Sequence, residues 1–312
     1  MVNKSILTSG QKGRGAAIML ALWALFLLSA LVISWALDIN TRVSISAEGT
    51  RMLKAEAAAC SGAELALHPL IKPSSPNLNG QMGDGASYEA RLTGEGGRLH
   101  INYLGGGAAG DAGVEVLKKY LEIKGIDLNE RDTMIDALLD WIQPNVGLHR
   151  LNAPPESDTY HPAHAPLTRV DELKQVAGWL DFTSQPGWDD DFTVNSTGPV
   201  DLAWASRDVL LALPGFTPEM VDRFLQFRQG PDGIDGTEDD MQFKSISEVA
   251  AILGLRPDQI EGLQKLVAIN IPIFRVVSTG SAGNARRTVQ MVIDKQSNRG
   301  FGQPSVRTWR EF

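Results

Sequence analysis

The stretch "GQKGRGAAIMLALWALFLLSALVISWALD" (residues 10–38) decides how the chain is read. Lysine, arginine and glycine run straight into an apolar segment, and the 22 residues from Ala16 to Leu37 carry no charge. As a helix they span ~33 Å, enough to cross the ~30 Å hydrocarbon core of a bilayer. A cleaved secretory signal has a shorter apolar region of ~7–15 residues, followed by small residues at the cut. Here Trp35 and Asp38 stand in that place, so the segment reads as retained. Lys4, Lys12 and Arg14 meet no acidic residue within the first 15 positions. The positive-inside rule then expects one crossing, with the N-terminus cytoplasmic and the bulk of the chain outside.

That bulk is acidic. The whole chain carries 29 basic and 37 acidic residues, a net of −8; without the three positive charges of residues 1–15 the balance is 26 against 37, or −11. Such a surface suits solubility and cation binding and repels nucleic-acid phosphate, so no nucleic-acid partner is expected. Cys60 is the single cysteine, which excludes an intrachain disulfide.

Helical periodicity continues past the apolar segment. Ile39, Val43, Ala47, Thr50, Leu53, Ala57, Cys60, Ala63 and Leu67 recur at steps of three and four, which predicts one stripe that packs on a partner. Gly49 weakens the helix at one point, and Pro69 disfavours its continuation. One helix from Ala16 to about Leu67 is expected, half in lipid and half amphipathic. After a loop at Pro73–Gly85, "SYEARLTGEGGRLHINYL" (87–104) alternates around "GEGG" and predicts a β-hairpin. The linker "GGGAAGDAG" leads to a helical block from Val114 to Ala268, with N-caps expected at Asn129, Thr217 and Ser245 and a C-cap at Gly254. "VDELKQVAGW" and "ISEVAAILGL" look like related helical units. The end of the chain, "IPIFRVVSTGSAG", "RRTVQMVIDKQ" and "PSVRTWREF", reads as three strands. The order predicts an α+β fold in which a helical insertion interrupts a small antiparallel sheet.

"KGRG" (12–15) ahead of "AAIMLALWALFLLS" resembles the leader of type IV prepilins and pseudopilins. The resemblance implies that a prepilin peptidase cuts between Gly15 and Ala16 and that Ala16 becomes N-methylated. Most pilins carry glutamate at the fifth mature position, which here is Leu20. The K-type minor pseudopilin of type II secretion lacks that glutamate and carries a large helical insertion in its pilin sheet. "DALLDWI" (136–142), "LTRVDELKQVAGW" (167–179), "DVLLALPGFTPEMVDRFLQFR" (208–228), "FKSISEVAAILGL" (243–255) and the ending with "TWRE" all resemble that family, over nearly the whole mature chain. After "DWI" the family often continues with aspartates, whereas Gln143, Pro144 and Asn145 follow here.

The domains implied are a leader (1–15), a transmembrane helix (16–37), the periplasmic half of the long helix (38–68), a β-hairpin with linkers (69–113), an inserted SAM-like or helix-hairpin-helix-like domain (114–268) and C-terminal strands (269–312). The implied role is a non-enzymatic subunit at the pseudopilus tip, anchored in the inner membrane with its body in the periplasm. Its implied partners are the I- and J-type minor pseudopilins, the major pseudopilin, the inner-membrane assembly platform and the processing peptidase. A subunit at the tip has no neighbour above it, and leucine at position five spares it an unpaired carboxylate in lipid. A minor pilin of a type IV pilus shares leader and fold and stays open as an alternative.

The loop "GPDGIDGTEDD" (230–240) packs Asp232, Asp235, Glu238, Asp239 and Asp240 into nine positions. Clustered oxygens on a flexible loop suit Ca²⁺, and Thr237 and backbone carbonyls are further donors. The spacing is not that of an EF-hand, and the K-type family binds calcium in this domain. "LPGFTPEMVDRFLQFR" (213–228) looks like a helix-hairpin-helix element, the basis for an alternative reading as a membrane-anchored DNA receptor; Thr217 replaces the second hairpin glycine and an acidic loop follows, both against phosphate binding. His149, His161 and His164 lie too near prolines and too far from cysteine to read as a zinc site, and "WDDDF" (188–192) reads as a solvated turn. No nucleophile elbow, phosphate loop or HExxH is present, so no enzymatic activity is expected.

Overall fold

The computed structural model describes residues 12–144, 150–296 and 304–312. Most of the 1–15 leader, Asn145 and His149 lie outside them. Helix α1 (Lys12–Ala66) is unbroken over 55 residues, ~82 Å by its rise. Gly49 is accommodated within it, because one glycine costs a helix only ~1 kcal/mol. The chain leaves α1 through N–H bonds from Leu67 and His68 to the carbonyls of Glu64 and Leu65, and Pro69 prevents a further turn.

Strands β1 (Asn79–Gln81) and β2 (Ala86–Gly94) follow, and β2 ends in a 3-10 turn at Glu95–Gly97. The hairpin expected across "GEGG" does not form. Only its first arm lies in the main sheet; β3 (Leu99–His100) turns away and runs directly into helix α2 (Ile101–Gly105). His100 starts that helix, its Nδ1 accepting the Tyr103 N–H at 3.2 Å. Alternation alone marks an extended segment but does not say which strand it pairs with.

Next come α3 (Asp111–Ile123), α4 (Leu128–Ile142), a 3-10 turn at Val170–Gln175 and α5 (Leu180–Thr183). The short strands β4 (Phe192–Thr193) and β5 (Val200–Asp201) precede α6 (Arg207–Ala212), α7 (Pro218–Arg228), α8 (Ile246–Leu253), α9 (Pro257–Leu263) and β6 (Val267–Ala268). Thr217 and Ser245 are N-caps and Gly254 closes α8 at φ 71°, as the capping chemistry requires. Asn129 is not a cap: Asp127 takes that position, and Asn129 lies inside α4. The two look-alike segments differ, since Val170–Gln175 is 3-10 and Ile246–Leu253 is α-helical. Two parallel pairs, β3 with β4 and β5 with β6, stitch the helical unit, whose core runs from Leu99 to Val267. It therefore begins upstream of Val114.

The chain ends in β7 (Ile273–Ala282), β8 (Ala285–Asp294) and β9 (Ser305–Glu311). The main sheet is antiparallel in the order β1-β2-β7-β8-β9. Its exit and re-entry points are neighbours, because Gly94 pairs with Phe274 in the β2–β7 register. An insertion whose two ends meet across one ladder leaves the sheet undisturbed.

The C-terminal end of α1 lies on this sheet through small residues. Ala55, Ala58, Ala59, Ala63 and Ala66 are fully buried, with Gly62 above Ser278 and Tyr88 and Gly280 beneath Ala55. The buried stripe is offset from the expected one. Ala63 belongs to both, but Leu53 is 68 % exposed and Ala57 faces solvent. Small residues let the helix backbone approach the strands closely, so the seat follows the alanines and not the larger apolar side chains.

Candidate functional site

Among the described residues one helix, Gly15–Ala66, is long and apolar enough to cross a membrane, with a mean hydropathy of 2.7 over its best window. Gly15, Ala16 and Leu20 all lie within α1, and Leu20 is 71 % exposed on its apolar surface. Nothing lies within 4 Å of where a side chain at Gly15 would stand.

Beyond the apolar segment, the uncovered flank of α1 faces the outer strand of the sheet. Trp309 pairs with Met291 and Glu311 with Val289, which places both on the α1 side. Yet Trp309 is 39 % exposed, because α1 lies over β2, β7 and β8 and leaves β9 bare. On α1, Leu53 and Ala57 are exposed and Cys60 is half-buried, and Val306, Trp309 and Phe312 are exposed along the sheet edge. Between helix and edge lies a shallow trough, a cavity of 220 Å³ lined by Glu56 of α1 and by Arg287, Thr288, Val289, Glu311 and Phe312 of the outer strands. Burial and then the neighbouring Glu311 push the Cys60 thiol above its ordinary range.

The acidic loop lies at the junction of helical unit and sheet, with Gly236 beside Pro73, Trp204 and the Leu92 carbonyl. Its carboxylates do not act alike. Asp235 is held by Arg228 at 3.0 Å (Nε–Oδ1) and 2.9 Å (Nη2–Oδ2), and also accepts Gln229 Nε2 at 3.0 Å. Asp239 takes the Asp232 N–H at 3.3 Å and the Thr237 hydroxyl at 2.7 Å, and that hydroxyl bond holds its carboxyl below the usual range. Asp240 accepts the Gly236 N–H at 2.6 Å, and burial raises its carboxyl. Asp232 accepts the Ile234 N–H at 2.8 Å. Glu238 stays exposed. Among the described residues no three such groups converge into a metal cage. The donors are chemically right for calcium, but Asp235 is committed to a guanidinium.

The other motifs fall to packing. Val209, Leu210, Leu213, Phe216, Val221 and Phe224 bury the helix-hairpin-helix segment in the core, and Arg207 pairs with Asp222 at 2.6 Å across its two helices. His164 bridges the Asp140 carbonyl (3.0 Å) and Glu156 (2.9 Å), and His161 is exposed on the same loop. In "WDDDF", Asp191 accepts the Tyr120 hydroxyl at 2.8 Å and lies 3.6 Å from Lys124, so that turn is a tie and not merely solvated.

A buried ionic cluster was not legible in the sequence. Glu95, fully buried, receives Arg275 at 2.8 Å (Nε–Oε2) and 3.0 Å (Nη2–Oε1), Arg98 at 3.3 Å, and the Thr193 hydroxyl. Arg98 also donates to the Asp190 carbonyl at 2.8 Å. Strand β7 and the helical unit thus meet on one carboxylate. Asp201 makes a second tie, accepting the N–H groups of Ala203 (3.0 Å), Asn270 (3.2 Å) and Ile271 (2.7 Å) where the chain returns to the sheet. The available signal was a lone glutamate among glycines and an arginine in the middle of an apolar strand.

Comparison with protein-family models finds no match, and neither does comparison with curated proteins. Among solved structures, the chain is similar to one chain in the crystal structure of the GspK-GspI-GspJ complex from the type 2 secretion system of enterotoxigenic Escherichia coli. The TM-score is 0.60 at 13 % identity, covering 87 % of this chain and 99 % of that one. Stalk and sheet alone do not reach that share, so the match takes in the helical insertion as well. The fold is therefore α+β and pilin-like: a long N-terminal helix on a small antiparallel sheet, with a helical domain inserted between two of its strands.

Proposed function

We propose that this chain is the K-type minor pseudopilin of a type II secretion machine. It is anchored in the inner membrane by α1, with its body periplasmic, and it initiates pseudopilus assembly at the tip with I- and J-type partners. The observation that carries this reading is the likeness to a chain of the GspK-GspI-GspJ complex over nearly the full length of both, insertion included. Leu20 and the bulk of the helical unit fit a subunit with nothing stacked above it. The major pseudopilin and the assembly platform are then its partners below.

The trough between α1 and β9 is where this reading puts a neighbour's stalk helix. Beside it, α1 exposes Leu53 and Ala57 and the edge strand exposes Trp309, the kind of aromatic anchor that dominates interfaces. Labelling native Cys60 with a benzophenone maleimide, in membranes that also hold the I- and J-type pseudopilins, should give a light-dependent adduct with one of them. Cys60→Ser should abolish the adduct and Leu53→Arg should reduce it severalfold. An adduct with neither partner, in a strain whose secretion survives deletion of this chain, would sink the proposal.

Processing belongs to the same reading. Co-expression with a prepilin peptidase should yield a chain whose intact mass begins at N-methyl-Ala16; an intact Met1 would reduce the leader to a plain anchor. Calcium binding by Asp232, Thr237, Glu238, Asp239 and Asp240 is also proposed, supported by their oxygen chemistry. Calcium should slow amide exchange at Glu238, Asp239 and Asp240 in the full chain, and exchange that ignores the ion would remove it from the reading.

A further inference from the structure

We infer that Arg228 is the built-in counter-ion of the acidic loop, and that the loop closes on this guanidinium without requiring a divalent cation. The inference is independent of the pseudopilin reading; it holds that any calcium bound by this loop adds to a loop already closed in its absence. It starts from the placement of the charge. Arg228 ends α7 and is 2 % exposed. Its Nη1 donates to the carbonyls of Leu202 (3.1 Å) and Ala205 (2.8 Å), which fixes the guanidinium against the turn between β5 and α6. Its other edge presents Nε and Nη2 as a fork to both oxygens of Asp235. The Phe224 ring lies 5.9 Å from its centre and excludes water on that side.

Five acidic residues in so short a segment repel one another unless a cation sits among them. A divalent ion would gather several carboxylates around one point. Arg228 works differently, because a planar fork engages one carboxylate in two parallel bonds and leaves the rest free. The other carboxylates are then used as acceptors for loop donors: Asp239 for the Asp232 N–H and the Thr237 hydroxyl, Asp240 for Gly236, and Asp232 for Ile234. Gly230, Gly233 and Gly236, at φ 62°, 68° and 94°, supply the left-handed turns that bring those N–H groups round. The Met241 N–H returns to the Arg228 carbonyl at 2.9 Å and closes the loop on the residue that opened it.

A lysine would not serve in the same place. It restores the charge but has no fork and cannot reach Asp235 and two carbonyls in fixed geometry. Arg228→Gln would release Asp235 and leave a carboxylate that only an added cation can neutralise. The loop of that variant should depend on calcium.

The test is hydrogen exchange at the amides of Asp232, Ile234 and Gly236, on the full chain in detergent micelles, with EDTA and with Ca²⁺. In the wild-type chain these three amides should already be protected in EDTA. In Arg228→Gln they should exchange about ten- to a hundredfold faster in EDTA, with calcium restoring part of the protection. Arg228→Lys should behave like Arg228→Gln in EDTA. The inference is overturned if EDTA alone strips protection from the wild-type loop, a comparison that needs no variant to fold. It is also overturned if Arg228→Lys keeps full protection, since charge without the fork would then suffice.

Discussion

Replacing Gly280 with alanine is expected to unseat α1 from the sheet. The added carbon would lie inside the contact distance of the Ala55 carbonyl oxygen and the Ala59 nitrogen, both backbone atoms of the helix. No rotamer can relieve a clash with backbone, so either the helix lifts or β7 bends. Gly280 pairs with Tyr88 on one side and Arg287 on the other, which holds the strand in the middle of the sheet. Overpacking of this kind costs about 3 kcal/mol or more, and Gly280→Val should exceed Gly280→Ala. Thermal unfolding of the full chain in micelles should show the sheet transition lowered by at least about 6 °C, from ~2–4 °C per kcal/mol at this size. An unchanged transition would mean that helix and strand do not approach as closely as described.

The second large effect is expected at Glu95. Glu95→Ala leaves the side chains of Arg275 and Arg98 in the seam with no carboxylate between them, at 13 % and 17 % exposure. Removing one partner of a buried ion pair costs ~3–5 kcal/mol, mainly because the remaining charge is stranded out of water. The loss should be local in character, since this cluster joins the helical unit to β7. Calorimetry is expected to resolve a single wild-type transition into two in Glu95→Ala, as helical unit and sheet melt apart. Replacing Glu95 and Arg275 together by leucine should recover part of the loss, because one of the two stranded charges disappears with its partner. Retention of one transition in Glu95→Ala would show that the Asp201 tie couples the units by itself.

What the sequence revealed was the part governed by local rules. The apolar run from Ala16, the caps at Thr217 and Ser245, the left-handed Gly254 and the alternation of β7, β8 and β9 each state their structure within a few residues. The resemblance that began at "KGRG" led to the insertion within the sheet, and the fold agrees. What escaped was set by distant partners. Leu99 and Ile101 alternate like a hairpin arm, but β3 pairs with Phe192–Thr193 far along the chain. Spacings of three and four alone place the α1 stripe on residues such as Leu53 and Ala57, whereas the seat is chosen by how closely backbones can approach, which favours Ala55, Ala59 and Gly62. In the acidic loop the clustering of charge was evident and the sorting of its carboxylates was not. Asp235 is withdrawn by an arginine seven residues earlier whose burial depends on carbonyls of the preceding turn. Glu95 was hidden for the same reason, since its partner Arg275 stands 180 positions away.

The continuity of α1 has a mechanical consequence. A helix that runs unbroken from its apolar segment to its seat on the sheet is a strut, and an axial pull at its apolar end is delivered to the body along the helix. Gly49 stands between the apolar segment and the first seated alanine with nothing packed against it, so any compliance in the strut is concentrated there. Below that point the rod can tilt with the bilayer; above it, rod and sheet translate as one piece. Displacement of the apolar end along the helix axis therefore becomes displacement of the sheet and of the helical unit tied to it.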